Sequence, residues 1–133
     1  MRRTTLFRIL LLLYLGVLAL LCFANFSSVP EVQPTFLGIP ADKLVHFLMF
    51  MPFPSLAFWS LRPRRLSVVK TLLVLVILFA AGCLIAWGTE YVQGLLPYRE
   101  MDLMDFRADR IGLACGSVIA FLIQLFSSPK ADA

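Results

Sequence analysis

Four apolar runs, separated by short polar stretches, divide the chain. They extend from Leu6 to Phe26, from Leu44 to Leu61, from Val68 to Trp87 and from Ile111 to Phe126. A helix rises about 1.5 Å per residue, so about 20 apolar residues cross the hydrocarbon core of a bilayer. The fourth run is short, and we expect its helix to begin inside the preceding polar stretch, at about residue 105. The pattern predicts an all-α integral membrane bundle of four transmembrane helices.

Two prolines interrupt the second run. Pro52 and Pro54 each remove a backbone hydrogen-bond donor, so we expect a kink near Met51–Pro54. Neighbouring helices can satisfy the carbonyl groups that such a kink leaves free. The second run is therefore still predicted to span the membrane.

Composition agrees with a membrane location. Of 133 residues, 60% are apolar and 15% are charged, and the mean hydropathy is +0.87. Soluble domains contain about 45–50% apolar and about 25% charged residues, and a chain of this size buries only about two thirds of its unfolded surface. A soluble globular enzyme is excluded, and so is a disordered chain, because 12 residues are Phe. The spans leave room for one domain, covering 1–133, and no separate soluble one.

The first run has two interpretations. Met1-Arg2-Arg3 resembles the basic start of a signal peptide, and Cys22-Phe23-Ala24 resembles a weak cleavage site. The uncharged stretch Ile9–Asn25 is longer than the usual signal core, which favours a retained membrane anchor. The three cysteines all lie in apolar runs and are expected to act as small buried hydrophobes.

The charged residues separate by side of the membrane. Basic residues on the first side are Arg2, Arg3, Arg8, Arg62, Arg64, Arg65, Lys70 and Lys130. The second side carries Lys43, Arg99, Arg107 and Arg110 with the acidic residues Glu31, Asp42, Glu90, Glu100, Asp102, Asp105 and Asp109. Basic loops stay in the cytoplasm, so both termini and the middle loop are predicted to be cytoplasmic. The net charge of +4 thus describes topology and predicts no nucleic-acid partner.

The start of the second helix carries a polar motif. Asp42 and His46 are four residues apart and share a helix face, with Lys43 on the neighbouring stripe. Asp42 could simply favour the helix start through the backbone dipole. An ionisable group such as His46, one turn into an apolar helix, is costly and usually has a partner. That partner could be a functional site or an ordinary interface group.

The end of the third helix carries Glu90 and Gln93 on one face. A carboxylate near a helix C-terminus meets the unfavourable end of the dipole. We therefore expect Glu90 to pair with Arg99, Lys43 or protonated His46.

The polar stretch before the fourth run has an acidic face and a small-residue face. Asp102, Asp105 and Asp109 recur at helical spacing, and Gly112 and Gly116 continue the line below them. With Ala108 and Ala120, these glycines form a small-residue seam that permits close helix packing. Arg107 and Arg110 lie off the acidic face and could touch lipid headgroups or phosphates.

These residues form a candidate polar cluster on the outer face. Its members are Asp42, Lys43, His46, Glu90, Gln93, Arg99, Asp102, Asp105 and Asp109. Carboxylate and imidazole groups could hold a divalent cation such as Mg²⁺, Ca²⁺ or Zn²⁺, or could serve as a general acid and base. Helix capping and salt bridging could also account for every charge. The spacing decides between none of these, so catalytic residues, metal and cofactor stay unassigned.

Three motifs occur in the chain in a fixed order. They are Asp42-Lys43-x-x-His46-Phe47-x-x-Phe50, Glu90-x-x-Gln93, and Arg99-x-x-Asp102-x-x-Asp105-x-x-x-Asp109-x-x-Gly112-x-x-x-Gly116. Together they resemble the VanZ-like family of small bacterial membrane proteins, named for a teicoplanin-resistance protein. The family typically has Asn where this chain has Asp109. The resemblance implies a cell-envelope protein of the bacterial inner membrane, linked in the founding case to low-level glycopeptide resistance.

Three functions are compatible with these features. The first is an envelope protein whose outer cluster binds a lipid-linked or peptidoglycan-related headgroup. The second is an intramembrane enzyme acting on a lipid phosphate or glycan, with Asp105 or Glu90 as base or metal ligand, His46 as acid or base, and Arg99 holding the anion. The third is a proton- or ion-coupled transporter, which would need a homo-oligomer because four helices form only a small pathway.

Overall fold

The computed structural model describes residues 2–28, 34–61 and 66–127. Within these ranges, the chain forms five helices and one short hairpin of two strands. Their order is α1 (Arg3–Phe23), β1 (Thr35–Phe36), β2 (Ile39–Pro40), α2 (Ala41–Phe50), α3 (Phe53–Ser60), α4 (Val68–Leu95) and α5 (Leu103–Ser127). The two strands pair antiparallel, with Phe36 opposite Ile39. The all-α class predicted from the apolar runs is confirmed.

Helices α1, α4 and α5 are long and apolar enough to cross a membrane. They contain 21, 28 and 25 residues, and their most apolar segments have mean hydropathies of 2.6, 2.7 and 1.7. Large aliphatic side chains such as Leu12, Leu20, Ile77 and Leu84 lie exposed along α1 and α4. Water would make such apolar surfaces costly, whereas lipid accommodates them. The chain is therefore a multi-pass membrane protein.

The second apolar run forms two helices instead of one. Helix α2 ends at Phe50 and α3 begins at Phe53, so neither part reaches the length of a span by itself. The break lies in the segment where the prolines predicted a kink. Pro54 lies in the first turn of α3, where backbone N–H groups have no acceptor within the helix, so its missing donor breaks no helical hydrogen bond.

The third and fourth runs extend beyond their apolar segments. Helix α4 continues to Leu95, which places Glu90 and Gln93 inside the helix. Its start is capped by Ser67, whose Oγ accepts a hydrogen bond from the Lys70 amide at 3.3 Å. Helix α5 begins at Leu103, and Asp102 Oδ1 accepts a bond from the Met104 amide at 2.8 Å.

Contacts of α1 define the two ends of the bundle. Arg8 Nε donates to the carbonyl of Ser60 at 3.1 Å, so the start of α1 lies beside the end of α3. Gln93 Nε2 donates to the carbonyl of Cys22 at 2.9 Å, so the end of α1 lies beside the end of α4. We call the second region the polar end, because α2 and α5 also begin there.

The two ends differ in charge. Arg2, Arg3, Arg8 and Lys70 lie at the starts of α1 and α4, opposite the polar end. The acidic residues of the described ranges belong to the polar end, as the charge pattern predicted. Arg62, Arg64, Arg65, Lys130, Glu31 and Asp132 lie outside the described residues.

The core lies where α2 and α3 cross the longer helices. Phe50, Phe53, Ala57, Ala86 and Leu113 are buried together, and α1 adds Leu18 and Cys22. The cysteines Cys22, Cys83 and Cys115 are all free thiols.

Two glycines of α5 set its distance from α2. A Cβ at Gly112 would lie 2.3 Å from the carbonyl oxygen of Phe47, and one at Gly116 would lie 2.0 Å from that of Met51. No larger residue fits this approach without moving the backbone. The seam predicted from the small residues therefore lies against α2, and it brings the first turns of α5 next to His46.

Candidate functional site

His46 is held between three carboxylates. It precedes Phe47, whose carbonyl lies against Gly112, so its ring reaches the preceding turns of α5. Nδ1 lies 2.9 Å from Asp109 Oδ1 and 3.8 Å from Glu90 Oε1, and Nε2 lies 3.3 Å from Asp105 Oδ2. We call His46, Glu90 and Asp109 the inner group. Residues of α2, α4 and α5 thus meet at a single imidazole.

The two acidic members of the inner group are fully buried. Glu90 and Asp109 each have 0% exposure. Glu90 Oε2 accepts a hydrogen bond from the Asp102 amide at 3.1 Å, while Glu90 Oε1 and Asp109 Oδ2 accept none from the described residues. Leaving a buried carboxylate oxygen without a partner is costly.

Lys43 neutralises a second group of carboxylates nearer the surface. Its ammonium donates to Asp42 Oδ2 at 2.9 Å, to Asp102 Oδ2 at 2.5 Å and to Asp105 Oδ1. We call Lys43, Asp42, Asp102 and Asp105 the outer group. Asp105 joins the two groups, because its other oxygen faces His46.

The outer group shifts the pKa values of its members. Burial opposes the charged form of Lys43, but its hydrogen bonds to Asp102, Asp105 and Asp42 prevail and raise its pKa above 10.5. The hydrogen bond from Lys43 lowers the pKa of Asp102. Burial acts against Asp42, yet bonding to Lys43 still lowers the pKa of that carboxyl.

Gln93 and Arg99 hold α1 instead of joining either group. Gln93 bonds the carbonyl of Cys22, and Arg99 Nη2 donates to the carbonyl of Leu21 at 2.7 Å. The Arg99 guanidinium also lies over the Phe26 ring, 5.2 Å from its centroid. Both side chains satisfy carbonyls at the C-terminus of α1, which a helix leaves without intrahelical partners. Among the expected partners of Glu90, it is therefore His46 that lies near it.

An apolar groove of about 840 Å³ opens beside the outer group, between α2 and α5. Its lining is apolar apart from Lys43, Arg107 and Arg110. The hairpin closes one side with Gly38, Ile39 and Pro40, and α4 contributes Phe79. The sequence pattern pointed to Arg107 and Arg110 but missed the hairpin. The hairpin turns at Leu37-Gly38, where both φ angles are positive, 52° and 78°. The glycine is the local feature of the sequence that favours such a turn.

Comparison with known proteins finds a distant relative. The uncharacterized protein C11E3.10 of Schizosaccharomyces pombe is 30% identical over 82 residues, covering 61% of this chain and 47% of the relative. The chain therefore spans about half the length of the curated relative it matches. Neither a family model nor a solved structure matches the chain.

Proposed function

We propose that this chain is a VanZ-like protein of the cell envelope whose polar end binds the anionic headgroup of a lipid, such as a lipid-linked envelope precursor. The observation that supports this function is the groove, where two arginines adjoin an apolar surface beside the outer group. A lipid phosphate is also a ligand that bacterial and fungal membranes share. It therefore agrees with both the VanZ-like motifs and the yeast relative.

Arg107 and Arg110 supply the charge that such a headgroup requires. Both are exposed and lie about one turn apart on α5, and neither forms an ion pair with another described residue. Arg107 Nη1 contacts Met104 Sδ at 3.7 Å, and the Arg110 guanidinium lies 4.8 Å from the centroid of the Phe106 ring. A guanidinium can donate two parallel hydrogen bonds to a phosphate. Lys43, in contrast, is already neutralised by three carboxylates.

The groove floor suits the hydrocarbon part of the ligand. Leu44, Phe47, Ile111 and Ala114 line it without polar side chains. A chain lying there would leave its headgroup beside the arginines. This division into an apolar floor and a cationic rim favours a lipid over a free sugar or a soluble anion.

The proposed topology places the groove at the outer face of a bacterial inner membrane. Helices α2 and α3 together act as the fourth span, since Ala41 lies at the polar end and Ser60 lies beside Arg8 at the opposite end. Both termini are cytoplasmic in this arrangement. The bias of Arg and Lys toward the end opposite the polar cluster supports this orientation.

Binding has more support than acid–base catalysis or ion transport. Both nitrogens of His46 face carboxylates, so the ring offers no free lone pair toward the groove. In the described ranges, the acidic side chains gather at the polar end and none continues toward the basic end. A proton pathway across the bundle would need such groups.

Lipid retention by the purified protein tests the proposal. We expect R107Q/R110Q to bind undecaprenyl phosphate and phosphatidylglycerol at least about tenfold more weakly than the wild type, since charged hydrogen bonds contribute about 1.5–3 kcal/mol. Native mass spectrometry with detergent-solubilised protein measures this binding, with phosphatidylcholine as the zwitterionic reference lipid.

The matched control removes the same charge at the other end. R3Q/K70Q replaces two exposed basic residues opposite the polar end. It should retain wild-type binding. Equal loss in both double variants, or no preference of the wild type for the anionic lipids, would contradict the proposal.

Teicoplanin resistance is a cellular consequence that the VanZ-like resemblance implies. We expect expression of the wild type in a susceptible bacterium to raise the inhibitory concentration of teicoplanin. R107Q/R110Q should lose that increase at equal membrane abundance. An unchanged increase would separate resistance from lipid binding at the groove.

A further inference from the structure

We infer that the inner group, His46, Glu90 and Asp109, holds a divalent cation that accepts nitrogen and oxygen ligands, such as Zn²⁺ or Mn²⁺. Side chains of these types bind such ions in proteins. Each of the three offers one ligand atom, and these atoms lie within 4.8 Å of one another. The site would lie between α2, α4 and α5.

The distances within the inner group suit one ion. Nδ1 of His46 lies 2.9 Å from Asp109 Oδ1 and 3.8 Å from Glu90 Oε1. Ligands bound to Zn²⁺ at about 2.0–2.2 Å in a tetrahedral arrangement lie about 3.4 Å apart. The two distances from Nδ1 lie on either side of that spacing.

Two buried oxygens provide an independent indication. Glu90 Oε1 and Asp109 Oδ2 have no hydrogen-bond partner among the described residues, although both side chains are completely buried. Glu90 Oε1 is aimed at the His46 ring. A cation between Nδ1 and Glu90 Oε1 would give this oxygen a partner and would offset part of the cost of burying the two carboxylates.

The charges around His46 also favour a cation. The inner and outer groups contain five carboxylates, and the bases in contact with them are Lys43 and His46. Lys43 donates hydrogen bonds to Asp42, Asp102 and Asp105, and the carboxylates of the outer group therefore already surround an ammonium. The inner group has the imidazole alone. It is therefore the inner group, and not the outer one, that lacks a cation.

The surroundings of His46 resemble the support that a metal ligand requires. Nδ1 and Asp109 Oδ1, 2.9 Å apart, form a hydrogen bond that a bound ion would replace. The ring proton would then lie on Nε2, which faces Asp105 Oδ2 at 3.3 Å. Nδ1 then presents its lone pair to the side where Glu90 and Asp109 meet. A carboxylate behind a histidine commonly orients metal-bound imidazoles in this way. The Asp102 amide fixes the other oxygen of Glu90 at 3.1 Å.

Metal content of the purified, lipid-free protein tests the inference. After treatment with a chelator and equilibration with Zn²⁺ or Mn²⁺, we expect one ion per chain by elemental analysis and a higher melting temperature. D109N and E90Q, which preserve side-chain volume, should bind the ion at least about tenfold more weakly. D42N is the matched control, because it removes a carboxylate from the outer group, and it should bind normally.

Three results would overturn the inference. They are less than one tenth of an equivalent of either ion in the folded wild type, equal weakening in D42N and D109N, and normal binding in E90Q. If D109N or E90Q fails to fold, Co²⁺ in the wild type gives a second readout. A visible absorption band typical of a four- or five-coordinate site is expected, and its absence at saturating Co²⁺ would contradict the site. No lipid is added, so failure here leaves the lipid-binding proposal intact.

Discussion

Lys43 links the charge of the polar end to the stability of the fold. Its ammonium is shared by Asp42, Asp102 and Asp105 at the start of α2 and α5. The folded-state pKa of Asp102 and of Asp42 is lowered below 3.8, and that of Lys43 is raised above 10.5. Each shift means that the folded protein holds the charged form more strongly than the unfolded chain does.

These shifts predict losses of stability at both extremes of pH. The ionised carboxylates of Asp42 and Asp102 raise the free energy of unfolding above their unfolded pKa, and this stabilisation is lost as the pH falls through 3.8 and below. The contribution of Lys43 is present below 10.5 and is lost as the pH rises beyond that value. Melting temperatures of the wild type in detergent should therefore decline at both ends.

The variant K43M separates this effect from general denaturation. It should melt below the wild type near neutral pH, and its melting temperature should change less between pH 5 and 3. If K43M and the wild type lose stability in parallel over that interval, the ion pairs of the outer group do not contribute to the acid limb.

His46 and Asp109 are expected to be energetically coupled. Their atoms meet at 2.9 Å in a buried site, and contacting residues typically show interaction energies of about 0.5–3 kcal/mol. A double-mutant cycle with H46Q, D109N and the double variant, measured by reversible unfolding in mixed micelles, should give at least about 1 kcal/mol. Additivity within about 0.3 kcal/mol would mean that the two side chains do not interact.

The sequence predicted which side chains form the polar cluster more accurately than it predicted which groups they contact. Helical spacing placed Asp102, Asp105 and Asp109 on one face, and the expected set of partners for Glu90 included His46. Spacing could not divide the acids between Lys43 and His46, because the division depends on how deeply α5 approaches α2. Gln93 and Arg99 bond carbonyls of α1, a contact between segments far apart in the chain.

Among the elements, the contact between α2 and α5 determines the site. It depends on Gly112 and Gly116, where a Cβ would collide with backbone carbonyls. We expect G116A to lower the free energy of unfolding by about 1–3 kcal/mol, because the carbonyl of Met51 cannot move as a side chain can. Thermal unfolding in detergent measures the loss.

A second glycine provides the control for that variant. Gly88 lies in α4 with no atom within 4 Å of its added Cβ. G88A should leave stability unchanged or raise it by about 0.5–1 kcal/mol, since Ala favours the helix. If G116A melts like G88A, the close approach of α2 and α5 is absent.

The helix boundaries show what hydropathy can and cannot predict. The apolar run of α4 ends at Trp87, yet the helix continues to Leu95 because Thr89, Glu90 and Gln93 are buried against other helices. Hydropathy ends the span at Trp87, since it cannot distinguish a polar residue that faces protein from one that faces water, whereas helical spacing already placed Glu90 and Gln93 at the end of this helix. The prolines, and not hydropathy, predicted a kink near Met51–Pro54, where the structure has a break between α2 and α3, because the missing donor is a property of the residue itself.

On the scale of the whole molecule, the charges separate between the two ends of the bundle. The sequence predicted this separation from the loops alone. Helix α1 reaches both ends, because its Arg8 contacts Ser60 and its Cys22 carbonyl accepts a hydrogen bond from Gln93 of α4. The groove was not predictable in the same way. It requires the hairpin, α2 and α5 to meet, and apart from Lys43, Arg107 and Arg110 the residues that line it are apolar and therefore indistinguishable in sequence from lipid-facing ones.

The topology can be measured by cysteine labelling in intact bacterial cells. In a variant with the native cysteines replaced by serine, L37C should react with an impermeant maleimide from outside, because Leu37 is 87% exposed in the hairpin. S67C, at the start of α4, should react only after the cells are opened. Labelling of S67C but not L37C from outside would reverse the proposed orientation.

Lipid occupancy of the groove can be measured in native membranes. A photo-crosslinking amino acid at Met104, which lines the groove and is 53% exposed, would capture the bound lipid in native membranes. The same amino acid at Leu95, 66% exposed on α4 at the polar end, samples the surrounding bilayer. Mass spectrometry should find anionic phospholipids or polyprenyl phosphates enriched at Met104 over Leu95, and R107Q/R110Q should abolish the enrichment. Identical lipid compositions at the two positions would contradict binding of an anionic lipid in the groove.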